Sequence, residues 1–329
     1  MAETDTLPLE TGTGTPLILD DARRDRIGEL MAGLLESAKG TLDSSEWLEA
    51  ARTASARLPH ELRTALRRFR YDAGTDGVLL IRNLPVGTAL PPTPTRPDSV
   101  ESTPTTAAAV ITTAMLQLGE VIAYRNEKGG ALVQNVVPVP GRERQQSNAG
   151  SVRLAMHSEN AFHPNRPDYV GLLCVRNDPT GDARLTTSSV RRVLPLLSDA
   201  TRRVLSEERF MTEPPPSFGG PGSVTPNHAL LRGAPEDPDL LVDFAATHPL
   251  DERAAEAMTE LGDALTASTV AHQLRAGDLA VVDNRLAVHG RTAFTPRYDG
   301  TDRWLHRVYV ALDYRRSRSD RKTGGSVLR

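Results

Sequence analysis

The 329-residue chain has a single cysteine, Cys174, so no intrachain disulfide framework can form. Cys174 lies in the apolar run Tyr169-Val-Gly-Leu-Leu-Cys-Val175 and reads as a small buried residue. One thiol and no disulfides fit a reducing cytoplasm. There is no excess of either charge, since 39 Lys and Arg face 42 Asp and Glu for a net charge of −3. That balance argues against nucleic acid or an anionic membrane as a partner. No run approaches the roughly 18 apolar residues of a membrane span. The opening Met-Ala-Glu-Thr-Asp lacks the basic start and apolar stretch of a signal peptide. Neither an internal repeat nor a Gly-rich phosphate loop is present. A soluble cytoplasmic protein is what remains.

The hydrophobic patterning divides the chain. Residues 1–16 are rich in Thr, Gly and Pro and read as a loose tail. Residues 21–39 and 44–70 carry apolar residues at helical spacing, and 105–118 reads as a further helix. Strand-like runs occupy 77–81, 131–139, 152–157, 169–175, 185–190, 240–244, 279–282 and 304–312. Helical patterns return at 189–208 and 250–268. The Pro- and Gly-dense stretch 213–226, with 243–250, reads as a lid or insertion. The basic end, 314–329, reads as a solvated, disordered tail. One domain over 17–313 is expected, of α+β class. A double-sheet jelly roll is the natural core for helices in front of many short strands.

Among eight histidines, only His157 opens a His-X-acid tripeptide, His157-Ser-Glu159, and chance alone supplies about one. Its position at the end of a strand-like run strengthens it. Residues two apart in a strand face the same side, so imidazole and carboxylate can meet one ion. The best third ligand is His289, where an apolar strand passes through a turn and a polar loop to a histidine. Two histidines and a carboxylate take one face of an octahedral ion, the arrangement of non-haem Fe(II) oxygenases. Such a site binds metal through neutral imidazole and weakens at low pH. Arg303 and Arg307, four apart in a strand-like segment, would face one side and demand anionic partners.

The segments His157-Ser-Glu-Asn-Ala-Phe-His163 and Asp283-Asn-Arg-Leu-Ala-Val-His289-Gly-Arg-Thr resemble the clavaminate synthase-like Fe(II)/2-oxoglutarate oxygenases. This is the group of asparagine oxygenase and the arginine β-hydroxylases, and the likeness runs from about residue 75 to 313. The distal pattern is the most specific part, with arginines 14 and 18 residues after His289.

The resemblance implies a double-stranded β-helix (jelly roll) core, with Fe(II), 2-oxoglutarate and O2 as cofactor and co-substrates. It implies His157, Glu159 and His289 as iron ligands and Arg303 as the anchor of the 2-oxoglutarate C5 carboxylate. Arg307 would meet the substrate α-carboxylate, and Asn126 and Glu127 its α-amino group. Asn148 and Asp243 would be further substrate contacts. A hydroxyl from Thr186 or Thr187 is unassigned, because counting places Leu185 at the expected position. His163 and His306 have no ligand role in the group. His60, His228, His248 and His272 read as surface residues, and Asp283-Asn284 as turn chemistry.

The implied reaction is hydroxylation of a β or γ carbon of a free L-amino acid with a basic or amide side chain, in natural-product biosynthesis. The carboxylate Glu159 argues against halogenation, which needs that ligand position vacated. Desaturation, a carrier-tethered or peptide substrate, a non-catalytic jelly-roll binding protein and a zinc hydrolase are the rival readings.

Overall fold

A computed structural model describes residues 14–219, 222–321 and 325–329. The front of the chain forms helices Asp21–Ser37, Ser45–Ser55 and His60–Tyr71. The first two start at side-chain caps, Asp20 accepting from the Arg23 amide and Ser44 from that of Trp47. Helix Thr106–Met115 is capped by Thr105 and is buried from Ala107 to Met115, which explains why its sequence is apolar all round. It lies against a nine-stranded sheet at Gly171, where a Cβ would fall 2.6 Å from the Met115 sulfur. Any larger residue there would displace the Met115 side chain.

The large sheet runs Leu17–Ile18, Val78–Arg82, Leu279–Asp283, Tyr169–Arg176, Trp304–Ala311, Glu120–Tyr124 and Val327–Leu328, with Val133–Val136 and Val100–Glu101 attached beside Trp304–Ala311. A four-stranded sheet holds Val270–His272, Leu185–Ser189, Ala287–Arg291 and Leu154–His157. One apolar cluster draws Leu172, Cys174, Leu305 and Tyr309 from the large sheet and Leu185 and Ala287 from the small one. The two sheets therefore enclose a common interior. A second cluster joins the helices to the outer faces of the sheets. The fold is a mixed α/β architecture, and among the described residues no helix is long and apolar enough to cross a membrane.

Several expectations are corrected. Residues 241–244 do not form a strand with Leu240. The strand there is Asp237–Leu240, paired with Leu231–Ala234, and the chain then turns to make a lone bridge between Asp243 and His157. His289 sits inside strand Ala287–Arg291 and not in a loop, because Asp283–Leu286 makes a turn tight enough to restart the sheet at once. His228 is buried, its ring nitrogen 2.8 Å from the Thr212 hydroxyl. Strand Glu120–Tyr124, just after the Thr106–Met115 helix, adds to the expected strands.

The basic end also differs from a solvated tail. Leu328 is fully buried, and Val327–Leu328 pairs in parallel with Ala123 and Tyr124. Arg321 is buried over the Tyr314 ring. Two terminal apolar residues find an open strand edge, and that edge outweighs the tail's charge. Residues 1–13 of the expected N-terminal tail and 322–324 of this one lie outside the described residues.

Candidate metal centre and active site

Strands Leu154–His157 and Ala287–Arg291 are antiparallel, and His157 stands directly opposite His289. Directly opposed residues project from the same face, which brings the rings to a centroid distance of 4.4 Å. Glu159 follows just beyond the first strand. Its backbone N–H donates to Asn284 Oδ1 at 2.7 Å, and Asn284 Nδ2 donates to the Glu159 and Pro167 carbonyls at 3.0 and 2.8 Å. This buried amide fixes the carboxylate-bearing turn, a role beyond turn chemistry.

One ligand atom each from His157, Glu159 and His289 all lie within 4.8 Å of one another. His157 Nδ1 is 2.9 Å from the Ala155 carbonyl, which selects the Nδ1–H tautomer and leaves Nε2 as the free donor atom. His289 Nε2 is 3.5 Å from Glu159 Oε2, and that oxygen is buried without a hydrogen-bond partner. The other oxygen, Oε1, accepts from Arg307 at 3.0 Å. An orphaned carboxylate oxygen beside two imidazoles fits a divalent ion bound through a single oxygen of Glu159.

Gly290 makes the pairing possible. A Cβ there would fall 2.5 Å from the Leu154 carbonyl oxygen. Gly290→Ala is therefore expected to part the strands beside the two histidines, costing about 1–3 kcal/mol of stability. Urea unfolding, with metal titration of the same protein, checks this.

Arg307 is buried and organises the other side of the site. It bonds Glu127 and Gln134 as well as Glu159, and lies 4.7 Å above the Tyr309 ring. The Tyr309 hydroxyl donates to Glu127 at 3.0 Å. With its amide oxygen turned toward Arg307, Asn148 accepts from both terminal nitrogens at 3.0 Å. Burial alone would raise the Glu159 carboxyl, but the Arg307 charge and the two histidines hold it well below the usual carboxylate range. Burial would likewise lower Arg307, yet the charges of Glu159, Tyr309 and Glu127 raise it. Gln134, Tyr309 and Asn284 were missed because their contacts span more than a hundred residues of chain.

A cavity of about 480 Å³ opens on this cluster. Glu127, Asn148, His157, Glu159, Asp243 and Arg307 line it, along with Pro214–Phe218 of the expected lid. Asn126 is exposed in the same turn as Glu127 and lies outside the cavity. Arg303 is buried on the interior side, close enough to Cys174 for the two to interact electrostatically, and also lies outside the cavity. Burial pushes Arg303 down to about 10 and the Cys174 thiol up to about 12. Strand parity separates the two threonines. Thr187 is opposite His289 and shares its face, whereas Thr186 is opposite Gly290 and turns toward Met156.

His272, in the edge strand, gives a pH signature. Burial lowers it to about 4, and its Nε2 is 2.9 Å from the Thr187 hydroxyl. The unfolded chain takes up the proton near 6.5, before the folded protein does. The stability contribution is thus whole above pH 6.5 and lost as pH falls toward 4. Asp283, pushed up to about 6 by burial, acts with the opposite sign. The difference between wild type and His272→Gln in urea midpoint at pH 7 and pH 5 isolates the histidine, and the variant is expected to be the less acid-sensitive.

The chain matches the family model described as "Taurine catabolism dioxygenase TauD, TfdA family" over residues 41–309. It is 52% identical to the L-asparagine oxygenase of Streptomyces coelicolor over 94% of this chain and 93% of that protein. It is 34% identical to clavaminate synthase 2 of Streptomyces clavuligerus, over 95% and 98%. A crystal structure of asparagine oxygenase in complex with Fe(II), 2S,3S-3-hydroxyasparagine and succinate superposes with a TM-score of 0.93 at 51% identity, covering 95% of this chain and 98% of that one. With the His-Glu-His constellation in place, the chain belongs to the TauD/TfdA dioxygenase family and is an Fe(II)/2-oxoglutarate-dependent oxygenase.

Proposed function

We propose that the protein hydroxylates the β carbon of free L-asparagine, within a single oxygenase domain whose two facing sheets form a double-stranded β-helix. The carrying observation is the Arg307–Glu127 pair beside the metal ligands, in a cavity that also presents Asn148 and Asp243. In this reading His157, Glu159 and His289 hold the iron. Iron with 2-oxoglutarate bound supplies O2 activation, yielding succinate and CO2 and placing one oxygen atom in a C–H bond. The chain's own residues aim that chemistry.

Arg307 receives the substrate α-carboxylate, its planar fork matching both oxygens. Glu127 receives the α-ammonium. Gripping both ends of the amino-acid head fixes the β carbon against the metal side of the cavity, and positioning of this kind decides which carbon reacts. Asn126 would serve the amino group only if its turn rearranges. Asp243 accepts from the side-chain amide N–H and repels a carboxylate, so it favours asparagine over aspartate. A single acid there, flanked by exposed Ala245, suits an amide better than a guanidinium. Pro214–Phe218 closes over the substrate as a lid. Arg303 anchors the distal carboxylate of 2-oxoglutarate, and Thr187 is the hydroxyl on the correct face.

The relatives support the choice of amino acid, since the asparagine oxygenase complex contains 3-hydroxyasparagine and succinate. The test is succinate release and product mass across free L-asparagine, glutamine, aspartate, arginine, lysine and ornithine. Asparagine is expected to exceed aspartate in kcat/KM by about a hundredfold or more, because a site built for an amide leaves Asp243 facing a like charge. Faster turnover of another amino acid would replace the substrate, and no turnover of any would end the free-amino-acid reading.

A further inference from the structure

Arg291 is a charged group that the chemistry above does not use. It ends strand Ala287–Arg291, two residues after His289 and on the same face. It is 3% exposed. One terminal nitrogen donates to the Val152 carbonyl at 2.8 Å, and its guanidinium carbon lies 5.0 Å from the Phe294 ring centre. Its Nε–H is buried with no acceptor. No carboxylate pairs with Arg291 or with Arg303 among the described residues.

Register places the two arginines in one region. Arg291 stands opposite Leu185, which shares an interior apolar cluster with Cys174 and Leu305. Arg303 precedes the strand that contains Leu305, and its charge interacts with Cys174, with the buried Asp178 and with Arg291. Two like charges in an apolar interior repel each other and each is costly to desolvate. With Asp178 acting on Arg303 only at longer range and the Arg291 Nε–H left without an acceptor, the pair has room for an anion from outside. Two residues along a strand span about 7 Å. A five-carbon dicarboxylate held at the metal by its keto-acid end reaches comparably far with its other carboxylate.

We propose that Arg291 is a second guanidinium for the distal carboxylate of 2-oxoglutarate, meeting it from the small sheet while Arg303 meets it from the large one. A carboxylate offers about four acceptor positions, more than one arginine fork fills. The free Nε–H of Arg291 supplies one further donor. The inference rests on the assignment of Arg303 to that carboxylate.

The experiment compares Arg291→Gln, Arg291→Lys and Arg303→Gln with wild type. Dissociation constants of 2-oxoglutarate and of 2-oxobutanoate, which lacks the distal carboxylate, are measured by calorimetry on the Mn(II)-loaded protein. KM for the amino acid is measured in parallel, and urea unfolding confirms that each variant folds. Arg291→Gln is expected to weaken 2-oxoglutarate about 10- to 100-fold, the loss of a charged hydrogen bond. It should leave 2-oxobutanoate and the amino-acid KM within about twofold of wild type. Arg291→Lys should recover part of the loss. Equal weakening of both oxo acids would make Arg291 structural and overturn the proposal. Unchanged 2-oxoglutarate binding in Arg291→Gln, with loss in Arg303→Gln, would overturn it while sparing Arg303. Unchanged binding in Arg303→Gln would remove both.

Discussion

A His289→Ala protein is expected to remain folded and to lose at least about a thousandfold in turnover, equivalent to about 4 kcal/mol of transition-state stabilisation. His289 is buried at the centre of a strand, with its Nε2 directed at the orphaned oxygen of Glu159. On the proposed ligand set, its removal takes one of three protein ligands from the ion. It does not strand a charge, because Arg307 still neutralises Glu159. The cost to stability is therefore that of a small polar-lined cavity, whereas the cost to metal binding is the site itself. Titration with Co(II) or Mn(II), beside succinate release, separates the two. Wild-type metal affinity in this variant would remove His289 from the ligand set.

Arg307→Met is expected to fail in the opposite way, through stability as well as activity. This guanidinium compensates the buried Glu159 and the half-buried Glu127, and donates to Gln134 Oε1. Breaking a buried ion pair from one side costs about 3–5 kcal/mol, because the remaining charge has no water to turn to. Urea unfolding should show a loss of that size. Arg307→Lys should fall between, since one ammonium cannot reach all these partners at once. The double variant Arg307→Met/Glu127→Gln should regain part of the stability and none of the turnover, because the proposed amino-acid clamp stays broken. A singly substituted protein as stable as wild type would show that the cluster is solvated and its electrostatics weak.

The contrast between these variants reflects what local sequence can and cannot specify. The helices at the front, the buried helix Thr106–Met115 and most strands were legible because hydrophobic period is a property of neighbouring residues. The pair His157 and Glu159 was legible for the same reason, and so was His289 as a candidate by its place after an apolar run. Their meeting was not, since it depends on the antiparallel register that sets His157 against His289 across 132 residues of chain. Register is chosen by whole faces of the sheets.

The sequence by itself determined a protein without disulfides or a charge bias, a set of helices and strands, and three residues of the right chemical type to hold iron. Tertiary structure decided the rest. Strand pairing left one oxygen of Glu159 free while giving the other to Arg307, and the packing of Glu120–Tyr124 gave the C-terminal Val327–Leu328 an edge to join. It also buried Arg291 near Arg303, where neither forms an ion pair among the described residues. The physical reason is common to all three. Backbone period is fixed within a few residues, but the partner of a buried charge or an open strand edge is supplied by whichever distant segment the fold brings against it.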